Sequence, residues 1–445
     1  MRFLFLTQYF PPEIGAAQTR LPSVAAELKR LGHTVEIVTS LPSYPQGRIF
    51  PKYSGCFYKR EEWDGSIVHR VWLHAALGRG FRRVLNYGSF AITSLFGLMR
   101  ARKPDYLFLE SPPLFLSVSG VIAARAWRVP LIMNVADLWP DAIAEAGILE
   151  QGLLLRLMLA LERWSYQNAT FVNAVTEGIR ETLLHKKSLG PAKILFLPNG
   201  VDAVRFQPKA PDIQFKKQLG LEGKEIILWA GTQGQSHALE HVIEAAGLLR
   251  HRQEAHFLFV GDGTARAGLE RQCREMSLSN VTFHDPVPPD RLPLFFSICE
   301  CGLASLRDIP VHDGARPSKI FPILASGKPI IYVGRGEGAL LIEDANAGIV
   351  VPPGNPQALA HAVEEFFADP VRVQEMGRNG RAFVEMQLSW SKNVSDWLSQ
   401  LLRSQSTQEI SAFGKLEKGI YTNPKGGRIN GNGCNEVSAL SSRYD

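Results

Sequence analysis

The sequence predicts an α/β protein built from two Rossmann-like, doubly wound domains that face each other across a cleft. Three observations predict it. Apolar β-type runs alternate with amphipathic helical patterns along nearly all of the 445 residues, the signature of βαβ units and of parallel sheets covered on both faces. The alternation pauses at the proline-rich stretch PNGVDAVRFQPKAPD and then restarts with a strand, a loop and a helix, as at the N-terminus. The length suits two large domains at roughly 100–200 residues each.

The first unit reads clearly. Residues 2–7 form a strand, and the loop QYFPPEIGAAQ follows. A helix then places Leu21, Val24, Ala25, Leu28 and Leu31 on one face. Pro22 is expected in its first turn, where a missing N–H does no harm, and Gly32 closes it. Further strands are predicted at 34–39, 106–110, 131–135, 171–174 and 194–197, with helices over 114–125 and 150–167. In the second half, strands are predicted at 225–230, 256–260, 281–284, 302–305, 329–333 and 348–351. The boundaries follow: one domain over 1–198, a second over 199–385, and a helix over 386–403 that closes the second domain or crosses back to the first. Residues 404–445, rich in Ser, Gly, Asn and Lys without a period, are expected to be a disordered tail.

Composition narrows the function classes. Hydrophobic residues make up 45% and charged residues 21%, as in ordinary globular proteins. The five cysteines are scattered and form no CxxC pair, which argues against a disulfide framework and a zinc site. The opening MRFLFLTQYFPPE has too short an apolar run for a secretory signal and reads as a buried strand. The net charge of +6 is uneven: residues 1–200 carry 23 Lys+Arg against 15 Asp+Glu, a balance of +8, which leaves −2 for the rest. A basic half fits an anionic partner or a solvated basic face.

Candidate chemistry gathers in the loops, because open α/β sheets bind ligands beyond the carboxyl ends of their strands. Gly15 precedes a helix start, where a backbone can approach a phosphate or simply turn. In WAGTQGQSHALEHVIEAA, Gly231 and Gly234 follow a strand with the mechanics of a phosphate cradle, although GxxG spacing is common. VGDGTARAGLE places Gly261 and Gly263 around an acid at another strand end. In ARPSKIFPILASGKPII, Arg316 and Lys319 stand just before an apolar helix that Gly327 ends, a good place for a diphosphate or for two surface cations. NVADLWPDAI puts Asp137 and Asp141 after a strand; either can hold a hydroxyl, and Asp141 reads equally as a helix N-cap. Asn199 and Gly200 mark a turn or hinge. Residues 79–103 look amphipathic, with Arg79, Arg82 and Arg83 near Phe90, Leu95 and Phe96. The apolar stretch is too short to span a bilayer and reads as an interfacial or a buried helix. Neither a Walker A pattern nor GxGxxG occurs, which argues against a P-loop NTPase and an ordinary nicotinamide domain.

The motifs FLTQYFPPEIGAAQTR, NVADLWPDAI, PNGVDAVRF, WAGTQGQSHALEHVIEAA, VGDGTARAGLE and ARPSKIFPILASGKPII occur in this order between residue 1 and about residue 400. On them the sequence resembles the family 4 retaining glycosyltransferases of GT-B fold, and within these the WbuB-like and WcaI-like branch of bacterial surface-polysaccharide (O-antigen, colanic acid) biosynthesis. The resemblance implies an acceptor-binding first domain and a nucleotide-sugar-binding second domain. It implies that Gly15 faces the donor phosphates or the transferred sugar. Gly231, Thr232, Gln233 and Gly234 would approach the diphosphate, with Arg316, Ser318 and Lys319 holding it. Gly261 and Gly263 would lie near the nucleotide, and Asp137 near sugar and acceptor. One departure stands out: of two family glutamates eight residues apart, the second falls here on Pro322 and the first on Gly314, with Asp313 as a stand-in for the first acid.

The implied reaction is transfer of a hexose-type or amino sugar, with retention, from a UDP- or GDP-linked donor to a lipid-linked glycan acceptor. Asp137 and Asp313 are the candidate catalytic acids. Arg79, Arg82, Arg83, Phe90, Leu95 and Phe96 are the candidate membrane or acceptor face. The chain shows no DxD motif, so no metal and no cofactor are expected. An anionic membrane surface is the expected partner, nucleic acid is not, and the expected place is the cytoplasmic face of the plasma membrane, peripherally bound. The rival readings are a non-catalytic scaffold of a polysaccharide-assembly complex, which Pro322 favours, and a nucleotide-sugar epimerase of the same fold.

Overall fold

The apolar run RFLFL forms strand β1 (Arg2–Leu6), whose residues after Arg2 are all buried. In the computed structural model, which describes residues 1–13, 15–76, 81–141 and 152–420, β1 lies at the centre of the first sheet. It runs parallel to β2 (Thr34–Ser40) on one side and β5 (Tyr106–Ser111) on the other. With β3 (Tyr58–Trp63), β4 (Ser66–Val71), β6 (Leu131–Val135), β7 (Phe171–Ala174) and β8 (Ile194–Phe196), the order is β3-β4-β2-β1-β5-β6-β7-β8. All neighbours pair in parallel except β3 with β4.

That antiparallel hairpin has no counterpart among the predicted strands. Its turn is Asp64–Gly65, with φ of 46° and 71°. Two left-handed residues in succession make the tight turn whose twist suits flanking strands, and Asp-Gly is a preferred pair for it. The signal was WDGS, between two short runs.

Helix α1 spans Ala16–Arg30. It therefore starts earlier than predicted, and Pro22 lies inside it rather than in its first turn. The alanines of GAAQ are helical because the Gly15 carbonyl already accepts from Thr19 N–H at 3.1 Å. The other end behaves as expected. Gly32 is left-handed, its N–H donates to Lys29 O, and His33 N–H donates to Leu28 O, closing the orphan carbonyls of the last turn.

The second sheet contains β9 (Glu225–Ala230), β10 (Ala255–Val260), β11 (Val281–His284), β12 (Cys301–Ser305), β13 (Ile330–Val333) and β14 (Gly348–Val351). The order is β11-β10-β9-β12-β13-β14, parallel throughout. Such strands are buried on both faces and read as continuous apolar runs. Both faces of this sheet have their own core, one around Leu228, Phe321 and Ile342, the other around Trp229, Ile243 and Val363.

The junction is a packed seam. Val201 pairs in parallel with Ser389, and its N–H donates to Leu388 O at 3.0 Å. A Cβ at Gly200 would lie 2.9 Å from the Trp390 ring, so the glycine of PNGVD permits that ring to close on the junction. Asn393 Nδ2 donates to Pro198 O at 3.2 Å. Further along the helix Trp390–Ile420, Trp397 is fully buried, with its ring 6.0 Å from Phe3 and 5.9 Å from Phe108 of the first sheet.

The same helix corrects the expectation that order ends at residue 403: it continues to Ile420. Ile410, Phe413, Leu416 and Ile420 recur at helical spacing, a period that the polar composition obscured. Residues 421–445 of the expected tail lie outside the described residues.

Trp397→Ala is expected to lower the unfolding free energy by about 3–5 kcal/mol, the range for a large buried aromatic truncated to alanine. Chemical denaturation followed by circular dichroism measures it. A loss below about 1 kcal/mol would mean that the ring contributes little to holding the first sheet.

Candidate active site

In each sheet the strand order reverses direction at one place, between β1 and β5 in the first and between β9 and β12 in the second. The loops diverge there and leave a crevice at the carboxyl edge. These two edges meet. Thr176, after β7, caps the helix Glu177–Glu181 by accepting from Ile179 N–H, and its hydroxyl donates to Gly314 O at 2.8 Å. The backbone N–H groups of Glu177 and Gly178 donate to the carboxylate of Glu337 at 3.0 and 2.8 Å. A Cβ at Gly178 would collide with Gly314. Gly314, the position to which the resemblance assigned a glutamate, is thus a point of backbone contact between the lobes, with no room for a larger neighbour at Gly178.

On the second lobe, Lys319 stands beside the end of β9. A Cβ at Gly231 would lie 2.8 Å from Lys319 Cε, and Gly231 has a φ of 134° that side chains avoid. Lys319 Nζ lies 3.2 Å from His237 Nε2 and 4.9 Å from the centre of the Trp229 ring. His237 Nδ1 lies 3.1 Å from Ser305 O. A carbonyl can only accept, so Nδ1 carries the proton and Nε2 is free to accept from the ammonium group. Burial and then the Lys319 charge push the His237 pKa down to about 3, so the ring stays neutral. Burial also pulls the Lys319 pKa down to about 8, and among the described residues no carboxylate pairs with it to offset this.

The glycines after β10 pack against the neighbouring loop. A Cβ at Gly261 would collide with Gly231 O, and one at Gly263 with Gln233 O. Gln233 N–H donates to Asp262 O at 2.9 Å, and Ala265 N–H donates to Gln233 O at 2.9 Å. The loops after β9 and β10 are thus laced together. The Gln233 side chain is fully buried and donates to Gly261 O at 3.1 Å, which makes it part of the lacing. Thr232 and Ser318 are exposed, Gly234 is half-buried.

Arg316 does not stand free beside Lys319. Its Nε lies 2.5 Å from Glu337 Oε1, the carboxylate that the first lobe's N–H groups hold. Asp313 is also engaged: it is exposed, and its Oδ1 accepts from Arg335 Nε at 2.7 Å. Both side chains were expected to face the reaction. The structure gives each an oppositely charged partner, for which sequence spacing held no cue.

On the first lobe, Asp137 follows β6. It is exposed at the strand end, and partial desolvation there raises its pKa to about 6; nearby Arg20 lowers it and Glu110 raises it. Below the crevice, a buried polar chain crosses the strand ends. Arg20 of α1 is ion-paired with Glu110 at the end of β5 and donates to Asn199 Oδ1 at 3.2 Å. Asn134 Nδ2 donates to Glu110 at 2.7 Å, and Asn173 Nδ2 donates to Asn134 Oδ1 at 2.6 Å. The reading of the sequence missed this chain. Its signal was present as single polar residues at the carboxyl ends of apolar strands, in YLFLE, LIMNV and FVNA.

Asp141 accepts an ion pair from Lys187 at 2.7 Å, and the same ammonium group meets Glu162 at 2.7 Å. Asp141 therefore anchors the segment that carries Asp137. Gly15 is half-buried, and a Cβ there would lie 2.6 Å from Gln18 Oε1.

The expected membrane face needs correction. Helix α2 spans Phe81–Arg100. Phe90 is fully buried in the first lobe's core, and Leu95 and Phe96 pack against that core. The residues that α2 turns outward are Leu85, Ile92 and Met99, seven apart and so on one stripe. The heptad was hidden because apolar residues occupy both faces of this helix. Arg82 is exposed, Arg83 lies 4.7 Å over the Tyr87 ring, and Arg79 lies outside the described residues.

Comparison with known proteins agrees with this arrangement. Residues 15–200 match the Glycosyl transferase 4-like domain and residues 212–383 match Glycosyl transferases group 1. A putative colanic acid biosynthesis glycosyl transferase, WcaI of Escherichia coli, is 28% identical over 376 residues, covering 82% of this chain and 92% of the relative. A probable glycosyltransferase of Pseudomonas aeruginosa, WbjE, is 23% identical over 65% of this chain and 72% of its own. Among solved structures, sucrose-phosphate synthase of Thermosynechococcus elongatus superposes with a TM-score of 0.71 at 16% identity, over 92% of this chain and 100% of that one. HepE of Anabaena in complex with UDP and glucose superposes with a TM-score of 0.67 at 17% identity, over 91% and 100%. With two family domains in tandem on two facing α/β lobes, the chain belongs to the family 4 glycosyltransferases of GT-B fold.

Proposed function

We propose that this glycosyltransferase moves a sugar, with retention, from a UDP- or GDP-linked donor to a lipid-linked glycan acceptor in the assembly of a surface polysaccharide. The observation that carries the reading is Lys319. It is a cation set into the second lobe's crevice with its pKa pulled down to about 8 and, among the described residues, no carboxylate paired with it. An anionic group laid against it would restore that lost stabilisation. A nucleotide diphosphate is such a group, and HepE, of the same fold, was solved with UDP-glucose. The acceptor class rests on the likeness to the colanic acid relative.

In this reading Lys319 holds the diphosphate and stabilises the charge that grows on it as the bond to the sugar breaks. His237, held neutral, keeps the ammonium group aimed without competing for the anion. Asp137, ionised at neutral pH, accepts a hydrogen bond from a hydroxyl of the sugar or the acceptor. In retention the acceptor oxygen bonds to the anomeric carbon on the face the phosphate leaves, and the acceptor's proton passes to the departing phosphate oxygen. The leaving charge is assigned to Lys319 rather than to a metal ion, and no cofactor is called for.

The membrane-facing surface is proposed on the outward stripe of α2, Leu85, Ile92 and Met99, with exposed Arg82 and Arg100 at its ends. The adjoining helix α3 (Leu116–Trp127) adds exposed Val118 and Ile122. Apolar side chains flanked by arginines suit an anionic bilayer surface. Among the described residues no helix is long and apolar enough to cross a membrane, so a peripheral position on the cytoplasmic face is the proposal.

Lys319→Met should weaken nucleoside diphosphate binding by about 1.5–3 kcal/mol, the range for a hydrogen bond to a charged group. Asp137→Asn should leave that binding nearly unchanged. Calorimetry with UDP and GDP measures both, and equal losses would reverse the assigned roles. A parallel assay of donor hydrolysis and transfer decides between an enzyme and a scaffold.

The same titration should depend on pH. Lys319 is charged below about pH 8, so affinity should hold steady from pH 6.5 to 7.5 and fall as pH rises through 8. The fall should vanish in Lys319→Met; a wild-type affinity flat to pH 9.5 would remove Lys319 from the anion site.

Ile92→Ser with Met99→Ser should reduce co-sedimentation with vesicles of phosphatidylglycerol while leaving nucleotide binding unchanged. Undiminished sedimentation would place the membrane surface elsewhere.

A further inference from the structure

A second group of side chains lies on the carboxyl edge of the first sheet, outside the residues discussed for the donor. Tyr9 follows β1, Tyr44 follows β2, and Arg83 and Tyr87 occupy the first two turns of α2. Arg83 lies 4.7 Å over the Tyr87 ring, with Tyr9 and Tyr44 close enough to act on its charge. Tyr9 and Tyr87 are close enough to act on each other electrostatically, and the Tyr9 and Tyr44 rings meet edge to face at 5.9 Å. Trp139, two residues past Asp137, meets Tyr87 edge to face at 6.1 Å, which joins the group to the candidate reaction centre. Beneath it, Gln8 is buried; its Nε2 donates to Asn86 Oδ1 at 2.8 Å, while its Oε1 has no partner.

Stability alone does not account for this arrangement. Arg82 and Arg83 sit in the first turn of a 20-residue helix that has no acid there. Cations at that end oppose the helix dipole. Arg83 is half-buried among tyrosines and has no ion-pair partner among the described residues; the carboxylate of this group, Glu13, is buried and accepts from the backbone N–H groups of Ser43 and Tyr44 at 2.8 Å. A guanidinium fork presents paired donors that match phosphate oxygens. Two arginines and a helix N-terminus together favour an anionic group. The tyrosine rings offer flat, partly apolar faces with hydroxyl edges, suited to the mixed surface of a pyranose.

We propose that Arg83, Tyr9, Tyr44 and Tyr87 form the acceptor subsite, and that it takes a sugar bearing a phosphate on its anomeric oxygen. The rings pack against the pyranose, and the Arg83 guanidinium holds the phosphate. The proposal rests on the transferase reading above and names the acceptor class for it. A lipid-linked sugar phosphate and a free one share this chemistry.

Calorimetric titrations of the full chain test it at saturating UDP, or GDP if that binds better, so that the donor site is filled. The probes are α-D-glucose 1-phosphate, methyl α-D-glucopyranoside and inorganic phosphate, with glucosyl phosphate on a decyl chain to separate a lipid-linked source from a free one. Glucose 1-phosphate should bind more tightly than the glucoside by about tenfold or more. Arg83→Gln should abolish that preference with nucleotide affinity unchanged. Tyr44→Leu should weaken both sugars and keep the preference. A decyl compound that outbinds glucose 1-phosphate assigns the lipid-linked source, and equal binding assigns the free one. No preference in the wild type, or a preference that survives Arg83→Gln, overturns the proposal. Inorganic phosphate binding as well as glucose 1-phosphate, with no effect of Tyr44→Leu, overturns the sugar part. Should Arg83→Gln fail to fold, Arg83→Lys keeps the charge but loses the fork, and an undiminished preference there also counts against it. Failure of both nucleotides to bind would strike the transferase reading, while the Arg83 comparison would still decide the subsite.

Discussion

A buried guanidinium holds the parts of this molecule in register. Arg20 reaches from α1 to Glu110 at the end of β5 and to Asn199 at the junction of the lobes. Burial raises the Glu110 pKa, and the Arg20 charge and the Asn134 hydrogen bond oppose that rise. An ion pair taken out of water contributes little net stability, yet loss of one partner strands the other charge and costs about 3–5 kcal/mol. The pair therefore acts as a fixed point. The helix after β1, the strand end beneath Asp137 and the junction must all meet at it.

The two lobes solve a common geometric problem in different ways. Each parallel sheet delivers its loops to one edge, and the edges must come close enough to share a ligand. The second lobe laces two loops together backbone to backbone, which Gly261 and Gly263 permit, and so presents Gly231 and Lys319 on a stiff base. The first lobe builds its edge from side chains, with Asp141 and Glu162 both fastened to Lys187. Where the edges touch, Glu337 receives two N–H groups from one lobe and Arg316 from its own. That carboxylate sits at a helix N-terminus, where negative charge is favoured.

The charges in the crevice divide into those with partners and those without. Arg316 and Asp313 have partners within the fold, and their electrostatic contribution to a ligand is largely spent. Lys319 and Arg83 lack an ion-pair partner among the described residues, and both are half-buried. An uncompensated cation in such a place is unfavourable for the empty protein, and the natural relief is a bound anion. One stands at the carboxyl edge of each sheet, Lys319 beside Gly231 and Arg83 beside Tyr87.

Local sequence was enough for the two lobes, the strand runs and the loops that matter. Parallel strands buried on both faces need continuous apolar runs, so 131–135, 171–174 and 225–230 were legible to the residue, and the half-buried edge strands 281–284 and 348–351 were legible from short β-type runs. Which polar side chains are free followed from contacts made far along the chain. Arg316 and Lys319 lie three residues apart with the same charge, but Glu337, which neutralises one and not the other, arrives from a later loop. The β3–β4 hairpin and the start of α1 were misjudged because each depends on two or three backbone angles rather than on a hydrophobic period. The Arg20–Glu110 pair was missed because its members are 90 residues apart, and nothing in local sequence records which distant charge a buried one will meet.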